Sequence, residues 1–290
     1  MNVLDFKDVR RPWTRSPYPA YHTGDYLEEA MYKYFCNNRA KFKEIDYTLI
    51  PIFWTTAYLD GINVQRYVSS LPRDRRYFAV SQHDDAIKEK LPDDTVVFSA
   101  GGNSGGIPIP LVCSPICTEK DKGPVQIEWL ASFVGSDTHP IRRDIVHLYE
   151  DNPDFKIITK PWSFNVNRSD QYNFTEVTKR SIYTLCPRGY GAQSFRTYEA
   201  MQLGSIPVYI HDDNVWLPYN DIVPWDTFSV LVHQKDLPDL EKILTSISIN
   251  QCFDMKKVGE DMIKNYFNID SVCENVYAHL KSNYENHRSY

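Results

Sequence analysis

Hydrophobic and polar residues are arranged along the chain in two patterns, one typical of strands and one typical of helices, and segments of the two kinds follow each other. Short runs rich in β-branched and aromatic residues predict strands, and longer stretches with apolar residues three to four positions apart predict helices, the first over Asp25 to Asn37. The strands predicted in the first half are Tyr47 to Trp54, Tyr77 to Gln82, Thr95 to Ser99 and Ile127 to Val134. Such alternation is typical of parallel α/β layers.

The second half continues the alternation. The predicted elements are a helix over Ile141 to Glu150, a strand over Phe155 to Thr159, a helix over Asp170 to Arg180, strands over Ile182 to Leu185 and Ile206 to Ile210, and closing helices over Leu237 to Ser246, Met255 to Tyr266 and Ser271 to Lys281. Asp270 is a plausible cap for the last helix. The stretch Ala100 to Pro110 is predicted to be a loop.

A domain boundary is predicted at Pro115 to Pro124, where turn formers and charged residues cluster. We therefore expect an N-terminal Rossmann-like domain over residues 1–124 and a second Rossmann-like domain over residues 125–265. Residues 266–290 are expected to form a C-terminal helix that packs back on the first domain.

Residues 182–210 form the most informative segment. Pro187, Gly189 and Gly191 end the first strand and allow a ligand to approach the backbone closely. The following helix is predicted to begin near Gln193 or Ser194, so that its free N–H groups and the positive end of its dipole point towards that loop. Gly204 then ends the helix before a second, parallel strand. This arrangement predicts an anion site, for which a phosphate-bearing ligand is the natural guest.

The complete motif in this segment is C-P-R-G-Y-G-x-x-S-F-R-x-x-E-A-x-x-x-G-x-I-P-V, followed by Asp212, Leu217-Pro218, Trp225 and Phe228 to Val230. It closely resembles the signature of the exostosin family, inverting glycosyltransferases of family 47 that use nucleotide-sugar donors. The match is dense over residues 182–244, with fainter similarity upstream that includes Phe78 to Asp84. One departure is clear, because many members have Asp-His shortly before that upstream strand, whereas this chain has Arg73 to Arg76.

The resemblance implies an α/β fold of GT-B architecture, in which two Rossmann-like domains face each other across a cleft. The C-terminal half then holds a UDP-sugar donor, and the N-terminal half presents the glycan acceptor. Ligands of such sheets bind at the carboxyl ends of the strands. The predicted donor-binding residues are Arg188, Gly189, Tyr190, Gly191, Ser194, Arg196, Glu199, Gly135, Arg142 and Asp212, with Arg143 as an alternative to Arg142.

Several of these residues have a predicted role. The N–H groups of Gly189 to Ser194, together with Arg188 and Arg196, would stabilise the leaving diphosphate. Ser194 is a helix cap, a phosphate ligand or both. The resemblance implies that Glu199 accepts the two ribose hydroxyls, whereas compensation of the helix dipole is the structural alternative.

A general base must remove the proton of the acceptor hydroxyl, and a carboxylate or imidazole within hydrogen-bond reach can do so. His83 and Asp84 follow a strand of the N-terminal half, where a residue that faces the cleft should lie. Asp137 is the third predicted catalytic residue, and Asp60 and Asp25 are further candidates. A strand-terminating turn with a hydrogen-bonded Asp is the structural alternative for His83-Asp84.

No metal or other cofactor is expected. Asp212-Asp213 and Asp93-Asp94 are not Asp-x-Asp motifs, and a helix terminus with nearby arginines can neutralise a diphosphate without a cation. The six cysteines contain no Cys-x-x-Cys pair, so a zinc site is not expected either.

Composition narrows the class of protein further. With 42% hydrophobic and 14% aromatic residues, the 290-residue chain can fill the cores of a compact soluble enzyme. A formal net charge of −6 argues against a nucleic-acid partner. The N-terminus has no apolar run typical of a signal peptide or membrane anchor, so a cytoplasmic location is expected. The oligomeric state and the donor sugar are not readable from the sequence.

The sequence leaves one other function open and disfavours another. A non-catalytic partner of another glycosyltransferase would retain the fold and nucleotide binding without turnover, and the missing Asp-His pair leaves this alternative open. A phosphate-binding NTPase is disfavoured because no Gly-Lys-Ser or Gly-Lys-Thr loop is present.

Overall fold

The computed structural model describes residues 6–12, 25–112, 125–163 and 166–288. Within these residues the strands form two separate parallel sheets, one of four strands and one of five. The parallel α/β class predicted from the sequence is therefore confirmed. The linker predicted at Pro115 to Pro124 lies outside the described residues, and the domain limits at residues 124 and 265 stay predictions.

The first sheet has the strand order β1-β2-β3-β4. Its strands are β1 (Tyr47–Leu49), β2 (Arg76–Ser81), β3 (Val96–Ser99) and β4 (Ile107–Pro108). The predicted strand over Tyr47 to Trp54 was too long, because Pro51 lacks an N–H and the fully buried Trp54 already begins a helix. The predicted loop over Ala100 to Pro110 contains β4, which pairs with Phe98 and Ser99.

The second sheet has the strand order β6-β5-β7-β8-β9. Its strands are β5 (Trp129–Ser136), β6 (Phe155–Lys160), β7 (Ser181–Pro187), β8 (Ile206–His211) and β9 (Val230–His233). Its first strand in the chain lies between the second and the third, so the direction of winding reverses between β5 and β7. In sheets of this kind, ligands bind at this reversal, outside the carboxyl ends of the strands.

The helices cover both sheets. They are α1 (Leu27–Asn37), α2 (Arg39–Glu44), α3 (Trp54–Leu59), α4 (Gln65–Ser69), α5 (Pro140–Tyr149), α6 (Arg168–Lys179), α7 (Phe195–Gln202), α8 (Leu240–Thr245), α9 (Ile249–Asn265) and α10 (Ile269–Arg288). Short 3-10 helices cover Phe6–Val9, Trp225–Thr227 and Gln234–Asp239. None of the helices in the described part of the chain is long and apolar enough to cross a membrane.

Two predicted details of the helices were wrong. The helix predicted from Leu237 begins with a 3-10 turn, and α8 itself starts at Leu240. Asp270 is not the cap of α10, because the Asn268 side chain accepts the hydrogen bond from the Ser271 backbone N–H at 2.9 Å.

Three apolar clusters hold the layers together. One lies on the face of the first sheet that α3 and α4 cover, and one lies within the second sheet and its helices. The third joins the other face of the first sheet to α1, α7 and α10, and it includes Phe42, Phe98, Tyr198, Trp225 and Phe267. In this cluster the rings of Phe42 on α2 and Tyr277 on α10 lie 5.3 Å apart, so α10 packs beside the first sheet.

Candidate functional site

The carboxyl ends of the two sheets face each other across a crevice. The turn after β2 and the loop after β3 form one rim, and the loops after β7 and β8 form the other. The two rims touch, since the backbone N–H of Ala192 donates to the carbonyl of Gly101 at 2.9 Å and the Asn214 side chain donates to the carbonyl of Gly102 at 2.8 Å. Two Rossmann-like units that face each other in this way form the GT-B architecture.

Arg188 lies at the centre of the crevice, directly after β7. One of its terminal nitrogens donates to both carboxylate oxygens of Asp212 at 3.0 and 2.8 Å, and the other donates to the Asn103 side chain at 2.7 Å and the Tyr190 carbonyl at 3.1 Å. Burial alone would raise the pKa of Asp212, but the Asn214 backbone N–H and Arg188 hold it below its usual value. The Arg188 charge is therefore compensated by Asp212, while its buried Nε has no partner among the described residues.

Arg142, on α5, binds the backbone beside the donor loop. Its guanidinium donates to the backbone carbonyls of Arg188 at 2.9 Å, Ser136 at 2.8 Å and Pro187 at 3.3 Å. These groups belong to the ends of β5 and β7, so Arg142 ties the two strands together at the reversal point. Gly189 leaves room for it, because a Cβ there would lie 3.1 Å from a terminal nitrogen of Arg142. Arg142 therefore shapes the donor loop, and its contact with the donor stays a prediction.

Arg196, in the first turn of α7, has no carboxylate partner among the described residues. Its guanidinium lies 5.0 Å from the centre of the Phe133 ring and donates to the Val134 carbonyl, while its buried Nε has no described partner. Gly135 permits this position, because a Cβ there would lie 2.7 Å from a terminal nitrogen of Arg196. Gly135, near the carboxyl end of β5, and Arg196 thus lie side by side.

Glu199 lies one turn further along α7 and is only 8% exposed. No hydrogen bond from a described residue reaches its carboxylate. Burial raises the pKa of Glu199 to about 7, and the neighbouring Arg196 charge lowers it only in part. A buried carboxylate without donors is costly, because its lost contacts with water are not replaced. The site therefore suits a ligand that supplies hydroxyl donors.

The N–H groups at the start of α7 are less available than predicted. Ser194 caps the helix by accepting from the Arg196 N–H at 3.4 Å. The N–H groups of Ala192 and Gln193 both point to the Gly101 carbonyl, at 2.9 and 3.4 Å. The predicted cradle of N–H groups from Gly189 to Ser194 is thus partly occupied by the opposite rim.

Asp84 lies on the first rim and contacts the second. A Cβ on Gly191 would lie 2.2 Å from Oδ1 of Asp84, so the carboxylate rests directly on the glycine backbone. Burial and, to a smaller extent, the neighbouring Asp85 raise the pKa of Asp84 to about 6, although the Arg188 charge opposes this rise. No described residue donates a hydrogen bond to this carboxylate. A carboxyl group with these properties is suited to accept a proton near neutral pH.

His83, the neighbouring candidate, is held differently. Its Nδ1 accepts a hydrogen bond from the Asp85 N–H at 3.2 Å. Burial lowers the pKa of His83, so the ring is neutral at pH 7 and its proton lies on Nε2. In this tautomer neither ring nitrogen has a lone pair free for a substrate proton.

The remaining base candidates lie apart from this contact. Asp137 is half exposed and forms an ion pair with Arg143 at 3.0 Å. Asp60 ends α3 and is exposed, and Asp25 pairs with Lys33 at 2.6 Å. Of the described candidates, Asp84 is the one that the structure shows in contact with the donor loop, whereas His83 contacts Gly101 in the loop after β3.

Tyr190, another predicted donor residue, reaches across the crevice. Its side chain is 61% exposed, and its hydroxyl donates to the Asp85 carboxylate at 3.3 Å. Asp85 also pairs with Lys88 at 2.8 Å. Tyr190 thus forms part of the crevice wall, where an aromatic face is open to a ligand.

Sequence reasoning missed two groups of residues at the crevice. The glycine-rich loop after β3 lies between the rims, where Gly101 meets His83 and Asn103 bonds Arg188. The density of glycines directly after a strand could have indicated this close approach. Glu28, at the start of α1, is buried and accepts hydrogen bonds from the backbone N–H groups of Thr55 and Gln82. In the sequence, Glu28 looks like any acidic residue in the first turn of a helix, so no local pattern identifies it.

The two pairs of adjacent aspartates, Asp212-Asp213 and Asp93-Asp94, lie in different surroundings. Asp212 binds Arg188, and the largely exposed Asp213 lies 3.2 Å from His233. Asp93 and Asp94 lie in the turn before β3. In the described part of the chain, no three His, Cys, Asp or Glu side chains are grouped so that they could hold a metal ion.

The departure at Arg73 to Arg76 lies away from the crevice. These residues are exposed and precede β2 or form its first position, at the amino end of the strand. His83 and Asp84 follow the carboxyl end of the same strand. The absent Asp-His pair therefore removes no group from the rim that faces the donor loop.

Comparison with known proteins identifies the family of this GT-B chain. The model of the Exostosin GT47 domain matches residues 96–247, just over half of the chain. The chain therefore belongs to the exostosin GT47 family, as the motif at residues 182–210 predicted.

Individual relatives match over a shorter region. A probable glucuronosyltransferase of Oryza sativa subsp. japonica is 42% identical over 87 residues, which cover 30% of this chain and 20% of the relative. The probable β-1,4-xylosyltransferase IRX10 of Arabidopsis thaliana is 43% identical over 84 residues, which cover 29% of this chain and 20% of the relative.

Among solved structures, AviGT4, a glycosyltransferase involved in avilamycin A biosynthesis, matches with 12% identity and a TM-score of 0.42, over 95% of this chain and 96% of its own. TarM of S. aureus matches with 9% identity and a TM-score of 0.42, over 88% of this chain and 58% of its own. Likeness of this size adds nothing to the fold assignment, which rests on the two parallel sheets.

Proposed function

We propose that the chain transfers a sugar from a UDP-sugar to a hydroxyl group of a glycan acceptor. The observation that carries the proposal is the contact between the two rims. It places the unpaired carboxylate of Asp84 against Gly191, in the loop that also carries Arg188. A proton acceptor and an anion-binding loop thus meet at the point where the sheet reverses its winding.

The donor half of the site combines two groups of opposite charge. Arg196 has no described carboxylate partner and would face the leaving diphosphate, with the positive end of α7 beside it. Glu199 would accept the ribose hydroxyls, which would replace the hydrogen bonds that its buried carboxylate lacks. Arg188, already paired with Asp212, would orient the loop, and Tyr190 and Asp212 would border the sugar.

Asp84 is the proposed general base. The acceptor oxygen forms a bond with the anomeric carbon while its proton moves to the Asp84 carboxylate. The bond between that carbon and the β-phosphate oxygen breaks, and its electron pair leaves with UDP. Attack opposite the leaving group inverts the configuration of the anomeric carbon.

We propose further that this transfer requires no metal ion. Arg196 and the helix terminus supply positive charge for the diphosphate, and Asp212 is committed to Arg188 at 2.8 Å. Activity that disappears in a chelator and returns with manganese would contradict this part of the proposal.

The test is a release assay with the purified chain, in which free UDP is followed. UDP-glucuronic acid and UDP-xylose come first, because the two relatives are named as glucuronosyl- and xylosyltransferases. Each donor is assayed with mono- and oligosaccharide acceptors and without any acceptor, and the anomeric configuration of the product is read by NMR. We expect acceptor-dependent UDP release that is lost in Asp84→Asn, with UDP binding retained.

Two other results would contradict the proposal. UDP binding in calorimetry without transfer from any donor would favour the non-catalytic subunit instead. If the wild-type chain binds no UDP, the assignment of the donor site is wrong.

A further inference from the structure

Asn103, in the glycine-rich loop after β3, connects the two rims of the crevice through three of its polar groups. Its backbone N–H donates to the Asp84 carbonyl at 3.0 Å, and its side-chain amide donates to the Asp85 carboxylate at 3.2 Å. Its side-chain oxygen accepts from Arg188 at 2.7 Å. A single residue thus binds both the turn that carries the proposed base and the arginine of the donor loop.

The chemistry of this position favours an amide. One short side chain must donate to Asp85 and accept from Arg188 at the same time, and asparagine presents both kinds of group. An aspartate would keep the acceptor for Arg188, but it would lose the donor for Asp85 and add a negative charge beside two carboxylates. A serine has too few atoms to reach both partners.

The glycines before Asn103 allow the loop to lie this close. A Cβ on Gly101 would be 2.1 Å from the His83 carbonyl oxygen, and a Cβ on Gly102 would be 2.8 Å from the Ala192 Cβ. Gly102 also has a φ of +85°, a conformation that other residues rarely adopt. The loop therefore packs tightly between the two rims. Asn103 is its first residue with a side chain that can form hydrogen bonds to both rims.

Charged and titratable groups surround Asp84 from two elements. His83 and Asp85 belong to its own turn, and Arg188 and Tyr190 come from the loop after β7. Asn103 bonds two of these groups, Asp85 and Arg188. Any change in its side chain therefore alters both the distance from Asp84 to the donor loop and the balance of charge around its carboxyl group.

We infer that Asn103 is a positioning residue that holds the Asp84 turn against the Arg188 loop and thereby sets the reach of the base to the acceptor hydroxyl. This inference rests on the proposed role of Asp84. It does not require Asn103 to touch either substrate.

The test compares Asn103→Ala and Asn103→Asp with a matched control, Asn214→Ala. Asn214 also bonds the glycine-rich loop from the donor half, since its side chain donates to the Gly102 carbonyl at 2.8 Å, and no hydrogen bond among the described residues joins this side chain to Asp84 or Asp85. For each variant we would measure kcat, donor KM, UDP affinity and the pH profile of turnover. Thermal unfolding would identify a variant that fails to fold.

In Asn103→Ala we expect kcat to fall by about tenfold to a hundredfold, with donor KM and UDP affinity nearly unchanged, because small displacements of a reacting group have effects of this size. In Asn103→Asp the added charge should move the acidic limb of the pH profile upward by more than about half a pH unit. Asn214→Ala should leave that limb in place and retain more turnover than Asn103→Ala.

Three results would overturn the inference: a wild-type kcat in Asn103→Ala, equal losses in Asn103→Ala and Asn214→Ala, or a loss in UDP affinity that accounts for the whole effect. A wild-type chain that transfers no sugar would instead defeat the proposed function. In that case the role of Asn103 can still be tested by titrating the Asp84 carboxyl carbon with ¹³C NMR. An Asp84 pKa that is the same in the wild type and in Asn103→Asp would show that Asn103 does not control the surroundings of Asp84.

Discussion

Replacing Glu199 by glutamine should strengthen folding and weaken donor binding. Glu199 is 8% exposed, and burial raises its pKa from the usual value of 4.5 to about 7. Glutamine has nearly the shape of the protonated acid and carries no charge at any pH. The substitution therefore removes the cost of ionising this buried group without opening a cavity.

The magnitude follows from the shift of the pKa. A rise of about 2.5 units at about 1.4 kcal/mol per unit disfavours the folded state by about 3 kcal/mol once Glu199 is ionised. The folded protein holds the proton more tightly than the unfolded chain. The free energy of unfolding therefore falls as pH rises from about 4.5 to about 7, and this contribution is constant above that range.

The assay is urea unfolding of the wild type and Glu199→Gln without nucleotide, together with UDP titrations by calorimetry. At pH 8 the variant should gain up to about 3 kcal/mol, and at pH 5 the gain should shrink below about 1 kcal/mol. UDP affinity should fall at least about tenfold, because hydrogen bonds to charged groups contribute about 1.5 to 3 kcal/mol.

Glu28→Gln is the matched control. Burial also raises the pKa of Glu28 to about 7, but its carboxylate accepts hydrogen bonds from Thr55 and Gln82. A glutamine there would turn an NH₂ group towards a backbone N–H, so it should gain less stability and leave UDP affinity unchanged. The reasoning fails if Glu199→Gln is less stable than the wild type at pH 8, or if it binds UDP as tightly.

Three further predictions concern the crevice. Turnover should fall as pH drops through about 6, because burial raises the pKa of Asp84 to about 6 and only the ionised carboxylate accepts a proton. A turnover that stays constant from about pH 5 to 8 would exclude Asp84 as the general base. The Gly191→Ala variant should lose most of its turnover, because the new Cβ would lie 2.2 Å from the Asp84 carboxylate. Gly105→Ala is the control, since its Cβ would have no atom within 4 Å, and equal activity of the two variants would refute the packing argument. Arg142→Met should lower the free energy of unfolding by about 2 to 5 kcal/mol in urea titrations, because the backbone carbonyls of Arg188 and Pro187 lose the hydrogen bonds from Arg142, whereas the Ser136 carbonyl keeps the one from the Thr138 N–H. Arg143→Met on the exposed side should cost less than about 1 kcal/mol, and similar losses in the two variants would contradict the role given to Arg142.

The sequence by itself determined the elements whose signals are local. The strand, loop, helix and strand of residues 182–210, the cap at Ser194 and the helix end at Gly204 follow from periodicity, hydrogen-bonding side chains and a φ of +77° that glycine adopts readily. These signals involve residues only a few positions apart, so they can be read along the chain.

Only the tertiary structure decided which charges are paired and which are not. Asp212 compensates the charge of Arg188, whereas Arg196 has no described carboxylate partner, and Arg142 binds the backbone carbonyls at the ends of two strands. Asp137 forms an ion pair with Arg143, and the Asp84 carboxylate contacts Gly191. These partners come from segments far apart in the chain that meet where strands end, and desolvation there depends on which segments meet. The same local motif could therefore not reveal Asn103 or rank the bases, because both depend on the fit between the two rims.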